Sequence, residues 1–349
     1  MKSGKSSEVA LDGTSEIRLA KRVPKCDAGP RMQSPSAKAK DYFLCAVART
    51  LLAVVQVLPF SCVLRFTRAL GEIVYWIDFR HRRVAMENLG RCFGSCKSQK
   101  EIRQIVRENF RRLGEALGGA VKSSLSNASE LKQRVEVVLP ESFSPKHPLR
   151  NRIIAMGHFG NFELLAHVHQ FLPGYRSATT YRGMRYPAFE RLVRTVRSRS
   201  GCLYFERRSE AKEFRAALKE PGMFFGIAAD LSTRSGSLRL PFLGHDCWTT
   251  TAPAVFALRY RYPLHVAICH RTAFGRWSVE ISEEIATRVD GTPRPIADIM
   301  MDVNRVLEQA IHRDPANWFW MYNRWRAGSR KHRRAPNLAA LTQLKHGFS

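Results

Sequence analysis

From Val135 onward, short apolar runs alternate with stretches of helical periodicity, and this alternation constrains the fold more than any other feature of the chain. Strands are predicted at VEVVL, RIIAM, SATTY, CLYF and GMFFGIAA, with helices beginning near Phe162, Pro187 and Glu210. Two later runs, YPLHVAICHR and WSVEIS, predict further strands, and a last helix is expected at about 296–312. Strands that alternate with helices favour a sheet with crossover connections. The expected fold class is therefore α/β, with a central, mostly parallel sheet flanked by helices.

The chain is strongly basic, and its charge limits the kinds of partner it attracts. Its 349 residues include 57 Lys and Arg against 30 Asp and Glu, which gives a formal net charge of +27. Such a field favours nucleic acid, anionic lipid or an acidic carrier protein. The eight cysteines are scattered without a CxxC pair, which is typical of reduced thiols packed in a core. No metal or redox cofactor is predicted.

The segment over residues 42–59 is nearly all apolar, but Arg49 and Gln56 interrupt it. As a helix it would be about 27 Å long at ~1.5 Å per residue, just under the ~30 Å hydrocarbon core of a bilayer. Arg49 and Gln56 are seven residues apart and would share one helical face, as in a helix that lies in the membrane interface. A shallow N-terminal membrane anchor is therefore predicted in preference to a span. A buried helical hairpin of the core is the alternative.

Polar side chains follow three of the predicted strands at the point where each strand ends. His158 follows RIIAM, Arg182 follows SATTY, and Asp230 closes GMFFGIAAD. Ligands of open α/β sheets bind beyond the carboxyl ends of the strands. The three side chains therefore mark a candidate site, although polar residues also commonly end strands without a role in binding.

The motif GHFGNFE places a carboxylate, Glu163, five positions after His158. In a regular helix these two side chains would diverge, so they can meet only if the histidine lies in the loop before the helix. Gly157 and Gly160 would allow such a turn. A carboxylate on one ring nitrogen makes the other nitrogen a better base. Since no nucleophile motif such as GxSxG occurs, we predict that His158 acts as a general base on a hydroxyl of the substrate, oriented by Glu163.

Five segments of the chain, in order, resemble the bacterial lipid A biosynthesis acyltransferases, the lauroyl and myristoyl transferases, within the lysophospholipid acyltransferase superfamily. They are RRVAMENLGRCF, GHFGNFE, YRGMRYPAFERLVRTVRSRSG, AADLSTRSGSLRLPFLGHDCWTTTAPA and DPANWFWMYNRWR. The likeness extends over about residues 42–326. It implies a glycerolipid acyltransferase-like fold and an enzyme that transfers acyl chains without a cofactor.

The resemblance also implies roles for individual residues. His158 and Glu163 correspond to the catalytic pair, and Arg182 corresponds to the substrate-binding arginine of the family. We assign Asn161 and Asp230 to substrate binding with Arg182. Arg182 could hold an acceptor phosphate or polarise the thioester oxygen, and a structural hydrogen-bonding role fits Asp230 equally well.

The implied donor is an acyl thioester, on acyl carrier protein or CoA, and the implied acceptor is a hydroxyl of a lipid A precursor. An anionic membrane surface is a further expected partner, which places the protein at the cytoplasmic face of the inner membrane. The predicted organisation is a disordered basic arm over residues 1–40, a membrane-associated helical segment over 41–96, an acyltransferase domain over 97–326 and a basic tail over 327–349.

Two alternatives remain open at this point. The same chemistry could act on a lysophospholipid, another glycolipid or an amino lipid. A non-enzymatic nucleic-acid-binding protein would also account for the basic charge, but no recognisable nucleic-acid module occurs in the chain and no nucleic-acid partner is expected.

Overall fold

The structure, a computed structural model, describes residues 35–325 except residues 125, 185, 208 and 232–235. The chain divides into two units, Met1–Lys40 and Asp41–Ser349, and the packing described below belongs to the second. The predicted basic arm lies almost wholly outside the described residues, and the predicted basic tail lies wholly outside them.

The predicted α/β class with a mostly parallel sheet is confirmed. The strands are β1 (Val135–Val138), β2 (Arg152–Met156), β3 (Arg176–Tyr181), β4 (Leu203–Glu206), β5 (Met223–Ala228), β6 (Ser237–Phe242), β7 (His245–Thr250), β8 (Leu264–Ala273), β9 (Arg276–Ile281), β10 (Arg288–Val289) and β11 (Thr292–Pro293). Seven of them form one sheet in the order β1-β9-β8-β2-β5-β3-β4. Every neighbouring pair is parallel except β8 and β9. All seven predicted strands belong to this sheet.

A hairpin formed by β6 and β7 lies outside the main sheet and was not predicted. Its two-residue turn, Leu243 and Gly244, has positive φ angles of 49° and 75°, as tight hairpin turns require. Pro241 lies inside β6, and a proline in an apolar run normally argues against a strand. It is tolerated here because β6 has a neighbour on only one side.

Helices cover both faces of the main sheet. They are α1 (Pro35–Val57), α2 (Phe60–Ile77), α3 (Phe79–Phe93), α4 (Gln99–Ser123), α5 (Ala128–Lys132), α6 (Pro187–Ser198), α7 (Ala211–Ala217), α8 (Ala252–Tyr260) and α9 (Ile296–Arg313). The helix expected near Phe162 is a 3₁₀ helix, Phe162–Phe171. Alternate residues of β2 join two different clusters of buried apolar side chains, since Ile153 and Ala155 belong to one and Ile154 to the other. Both faces of the sheet are therefore core.

Helices α2 and α4 cross at very short distance because glycines lie where they meet. A Cβ atom on Gly71 would lie 2.3 Å from the carbonyl oxygen of Phe110, and one on Gly114 would lie 2.1 Å from that of Thr67. Any larger residue at these positions would force the helices apart. The close contact joins the predicted membrane-associated segment to the helix that packs on the rest of the fold.

A buried carboxylate strengthens this junction. Glu115 of α4 is 1% exposed, and it accepts hydrogen bonds from Arg68 of α2 at 3.1 Å, from Arg271 of β8 at 3.0 Å and from the backbone N–H of Gly275 at 3.0 Å. A buried charge is stable only when it is paired and hydrogen-bonded in this way. Removal of the Glu115 carboxylate would leave these three donors without their common acceptor.

The outer face of α2 is apolar and exposed. Phe66, Leu70, Ile73 and Ile77 follow one another at helical spacing and are 42–66% exposed, while Leu64 and Tyr75 on the other side are buried. Of the helices that the structure describes, none combines the length and the apolar character needed to cross a membrane.

Candidate active site

His158 lies in the loop that follows β2, as predicted, with its side chain 22% exposed. The loop turns sharply at Gly160, whose φ is +47°, and a Cβ atom there would lie 2.7 Å from the carbonyl oxygen of Cys269. Glycine is therefore required at this position for both its conformation and its size. The 3₁₀ helix begins two residues later, so His158 lies before it and its side chain does not have to follow the helical repeat.

The side chain that holds the His158 ring is Asp230. Strands β2 and β5 are parallel neighbours with Met156 opposite Ala228, so residues two positions beyond each end meet at the same edge of the sheet. His158 Nδ1 donates to Asp230 Oδ1 at 2.8 Å, and the backbone N–H of His158 donates to Oδ2 at 2.6 Å. Asp230 is fully buried, which favours its alternative role in structural hydrogen bonding over the predicted contact with substrate. Its two hydrogen bonds hold the histidine.

The predicted hydrogen bond between Glu163 and the His158 ring is wrong. Glu163 pairs with Arg197 of α6 through both carboxylate oxygens, and Arg197 Nε donates to Oε2 at 3.2 Å. The sequence spacing brought Glu163 near the histidine, but the strand next to β2 supplies the carboxylate that reaches the ring. Glu163 acts on His158 only through its charge.

The surroundings favour the charged form of His158. Burial alone would lower its pKa, but the charge of Asp230, the hydrogen bond to that carboxylate and the charge of Glu163 together raise the pKa above the ordinary value of 6.5. Burial disfavours the charged form of Asp230 as well, which for a carboxyl group would raise the pKa. The charge of His158, hydrogen bonds from its ring and backbone, and a hydrogen bond from Trp318 lower that pKa instead. The pair thus combines an ionised carboxylate with a strengthened base.

The second ring nitrogen of His158, Nε2, makes no hydrogen bond to any residue in the described ranges, and the side chain lines a cavity of about 780 Å³. The cavity lies over the carboxyl half of the sheet, and its wall includes the apolar side chains of Met156, Phe205, Phe214 and Phe256. A cavity of this size and character suits a small apolar ligand or chain. A ligand in the cavity would lie next to the side chain of His158.

The match with known proteins agrees with this geometry. The family model for bacterial lipid A biosynthesis acyltransferases matches residues 32–327. The chain belongs to this family. A comparison with curated proteins gave no match. Membership makes the chain an acyltransferase of lipid A biosynthesis, which implies a lipid acceptor and an acyl donor.

Of the two other predicted substrate-binding residues, only Arg182 reaches the cavity. Arg182 follows β3, is exposed and lines the cavity, and within the described part of the chain it forms no ion pair. Asn161 is 1% exposed and does not line the cavity. Its side-chain amide lies beside Gly119 of α4 and the ring of Trp277. The position of Asn161 therefore does not support the predicted contact with substrate.

Two residues near the His158–Asp230 pair were not predicted from the sequence. Arg197 is one of several arginines on α6, and nothing in its sequence context distinguishes it as the partner of Glu163. Trp318 donates its indole N–H to Asp230 Oδ2 at 2.8 Å. It belongs to the aromatic segment DPANWFWMYNRWR, which was part of the family resemblance, but no spacing rule connects that segment to Asp230.

The two carboxylates make different predictions for substitution. Asp230→Asn is expected to lower kcat by about 10³- to 10⁴-fold, because an amide no longer holds the ring in the tautomer that leaves Nε2 free. Glu163→Gln is expected to lower kcat by roughly tenfold, since it removes only a charge that acts through space. Steady-state kinetics at matched amounts of folded protein would compare the two isosteric variants. A greater loss in Glu163→Gln would show that Glu163, and not Asp230, is the main partner of the base.

The raised pKa of His158 predicts the pH dependence of activity. A general base works only in its neutral form, so activity is lost as pH falls through the pKa of His158. The acid limb of kcat/KM should therefore lie above pH 6.5. In Glu163→Gln the limb should move to lower pH, because a charge that stabilises the imidazolium is gone. A limb at or below pH 6.5 in the unaltered protein would contradict this assignment.

Proposed function

We propose that the protein transfers a fatty acyl chain from acyl carrier protein to a hydroxyl of a lipid A precursor, with His158 as the general base. The observation that carries the proposal is the His158–Asp230 pair, in which one ring nitrogen is fixed by a buried carboxylate and the histidine side chain lines the cavity. Family membership supplies the reaction class. The pair supplies a base suited to it.

In this mechanism His158 Nε2 accepts the proton of the acceptor hydroxyl as its oxygen attacks the thioester carbonyl. The resulting imidazolium is stabilised by Asp230 and, at greater distance, by Glu163. Collapse of the tetrahedral intermediate forms the new ester and breaks the C–S bond, and the imidazolium returns the proton to the departing thiolate. The apolar wall of the cavity receives the acyl chain, and Arg182 binds an anionic group of the acceptor.

An anionic donor suits the charge of the chain, and both acyl carrier protein and CoA are anionic. The net charge of +27 would draw an acidic protein to the surface and speed its encounter with the cavity. The same charge favours a phosphorylated glycolipid as the acceptor.

The proposal predicts the behaviour of His158→Asn in an acyl-transfer assay. Membranes containing the unaltered protein should transfer label from acyl carrier protein to a lipid A precursor, and the variant should lose at least about 10³-fold of this activity because it has no base. Acyl-CoA as donor, and a lysophospholipid as acceptor, should react more slowly. Equal activity in both proteins would contradict the mechanism. Faster transfer to the lysophospholipid would establish the alternative acceptor class.

We also propose that the protein lies on the cytoplasmic face of the inner membrane through the exposed apolar face of α1 and α2. Besides the stripe on α2, the exposed apolar side chains of α1 include Tyr42, Phe43 and Val57, which are 66–86% exposed. An apolar helical face joined to a basic protein is typical of interfacial binding to anionic lipid.

Membrane association can be tested on α2 with a matched control. Phe66→Gln combined with Ile73→Gln should weaken binding to anionic vesicles by roughly tenfold or more, because two large side chains no longer enter the lipid. Val289→Gln of β10, where valine is 57% exposed, should have no effect on binding. Vesicle co-sedimentation would measure all three proteins. Equal binding by the double variant and the unaltered protein would contradict the proposed orientation.

A further inference from the structure

The segment Pro315–Trp320 near the end of the described chain lies directly against the His158 loop. The backbone N–H of Gly160 donates to the carbonyl of Asn317 at 2.8 Å, and that of Phe319 donates to the carbonyl of His158 at 3.1 Å. Phe159 and Trp318 form an antiparallel bridge between these bonds. The aromatic segment therefore holds the loop backbone at His158 and at Gly160, on both sides of Phe159.

The indole of Trp318 contacts the Asp230 carboxylate, which also holds the His158 loop. Trp318 is 0% exposed, and its Nε1 donates to Asp230 Oδ2 at 2.8 Å, the same oxygen that accepts the backbone N–H of His158. These two donors saturate Oδ2 and fix the plane of the carboxylate. Oδ1 is then directed at the ring of His158.

Trp318 is itself held by a buried amide. Asn109 of α4 is 1% exposed and donates to the carbonyls of Ala316 at 2.8 Å and Trp318 at 2.7 Å. Asn88 of α3 holds the next part of the segment in the same manner, since it donates to the carbonyls of Trp320 at 2.9 Å and Tyr322 at 2.8 Å. Two similar supports thus act on neighbouring tryptophans, and only one of those tryptophans contacts Asp230.

We propose that Trp318 is a positioning residue of the acyl-transfer reaction, which holds the Asp230 carboxylate in the orientation that aligns His158 for proton abstraction. This inference rests on the proposed role of His158 as the base. Trp318 does not line the cavity, so it acts through Asp230 and not on substrate.

The indole N–H also has an electrostatic effect on the pair. Its positive end points at Asp230 and offsets part of the carboxylate charge that reaches His158. Loss of this donor would strengthen the negative potential at the ring, and the imidazolium would persist to higher pH. A purely structural role of Trp318 would not move the titration of the histidine.

The test compares Trp318→Phe with Trp320→Phe. Both tryptophans are fully buried and adjacent, with ring centroids 4.7 Å apart, but Trp320 Nε1 donates to the carbonyl of Pro315, outside the catalytic pair. Trp318→Phe should lower kcat by about tenfold with little change in KM, and should move the acid limb of kcat/KM to higher pH by roughly half a unit. Trp320→Phe should leave the limb in place. An equal limb position in both variants would overturn the proposal.

A second pair of variants covers the case in which Trp318→Phe does not fold. Asn109→Ala releases the backbone of Trp318, while Asn88→Ala releases that of Trp320, and both remove a buried amide with two hydrogen bonds. Asn109→Ala should lower kcat and move the acid limb, whereas Asn88→Ala should leave the limb in place. Identical pH profiles in these two variants would also overturn the proposal.

A direct titration separates this inference from the proposed function. In protein labelled with ¹⁵N-histidine, the ring signals of His158, assigned by their loss in His158→Asn, report its pKa without any substrate. The titration should move to higher pH in Trp318→Phe and stay unchanged in Trp320→Phe. Absence of acyl transfer would then count against the function alone, and an unmoved titration in Trp318→Phe would count against the role of Trp318.

Discussion

The charge on Asp230 is the constraint on which the arrangement of the site depends. A carboxylate removed completely from water is stable in ionised form only if hydrogen bonds and an opposite charge replace its hydration. Three donors serve this purpose, and they come from the loop after β2 and from the segment near the end of the described chain. Burial of one acidic group therefore requires that parts of the chain far apart in sequence meet at one edge of the sheet.

The helices before the sheet contribute to the same arrangement. Helix α4 packs closely on α2 through glycines, carries the buried Glu115 and supplies Asn109 to the segment that contains Trp318. One helix thus packs on the apolar N-terminal elements and also holds the segment whose Trp318 bonds Asp230. The surface proposed to face lipid and the site proposed to act on lipid are in this way parts of one packed body.

The role of Glu163 shows how spacing along the chain can mislead. The interval from His158 is compatible with a contact, and the loop geometry expected from Gly157 and Gly160 is present. The contact is nevertheless made by Asp230, because parallel pairing of β2 with β5 places residues from the two strand ends closer than residues five apart around a turn. Glu163 pairs with Arg197 instead. Its charge still raises the pKa of His158.

Local sequence determined the strands of the main sheet, the α/β class and the position of His158 in a loop before a helix, because apolar periodicity and glycine conformation act over a few residues. The basic charge and the apolar face of the N-terminal helices are likewise visible in composition and spacing. Tertiary structure alone decided which carboxylate orients the histidine, that Asn161 is buried away from the cavity, and that Trp318 supports Asp230. These contacts depend on strand order and on long-range packing, and neither has a signature within a short stretch of sequence.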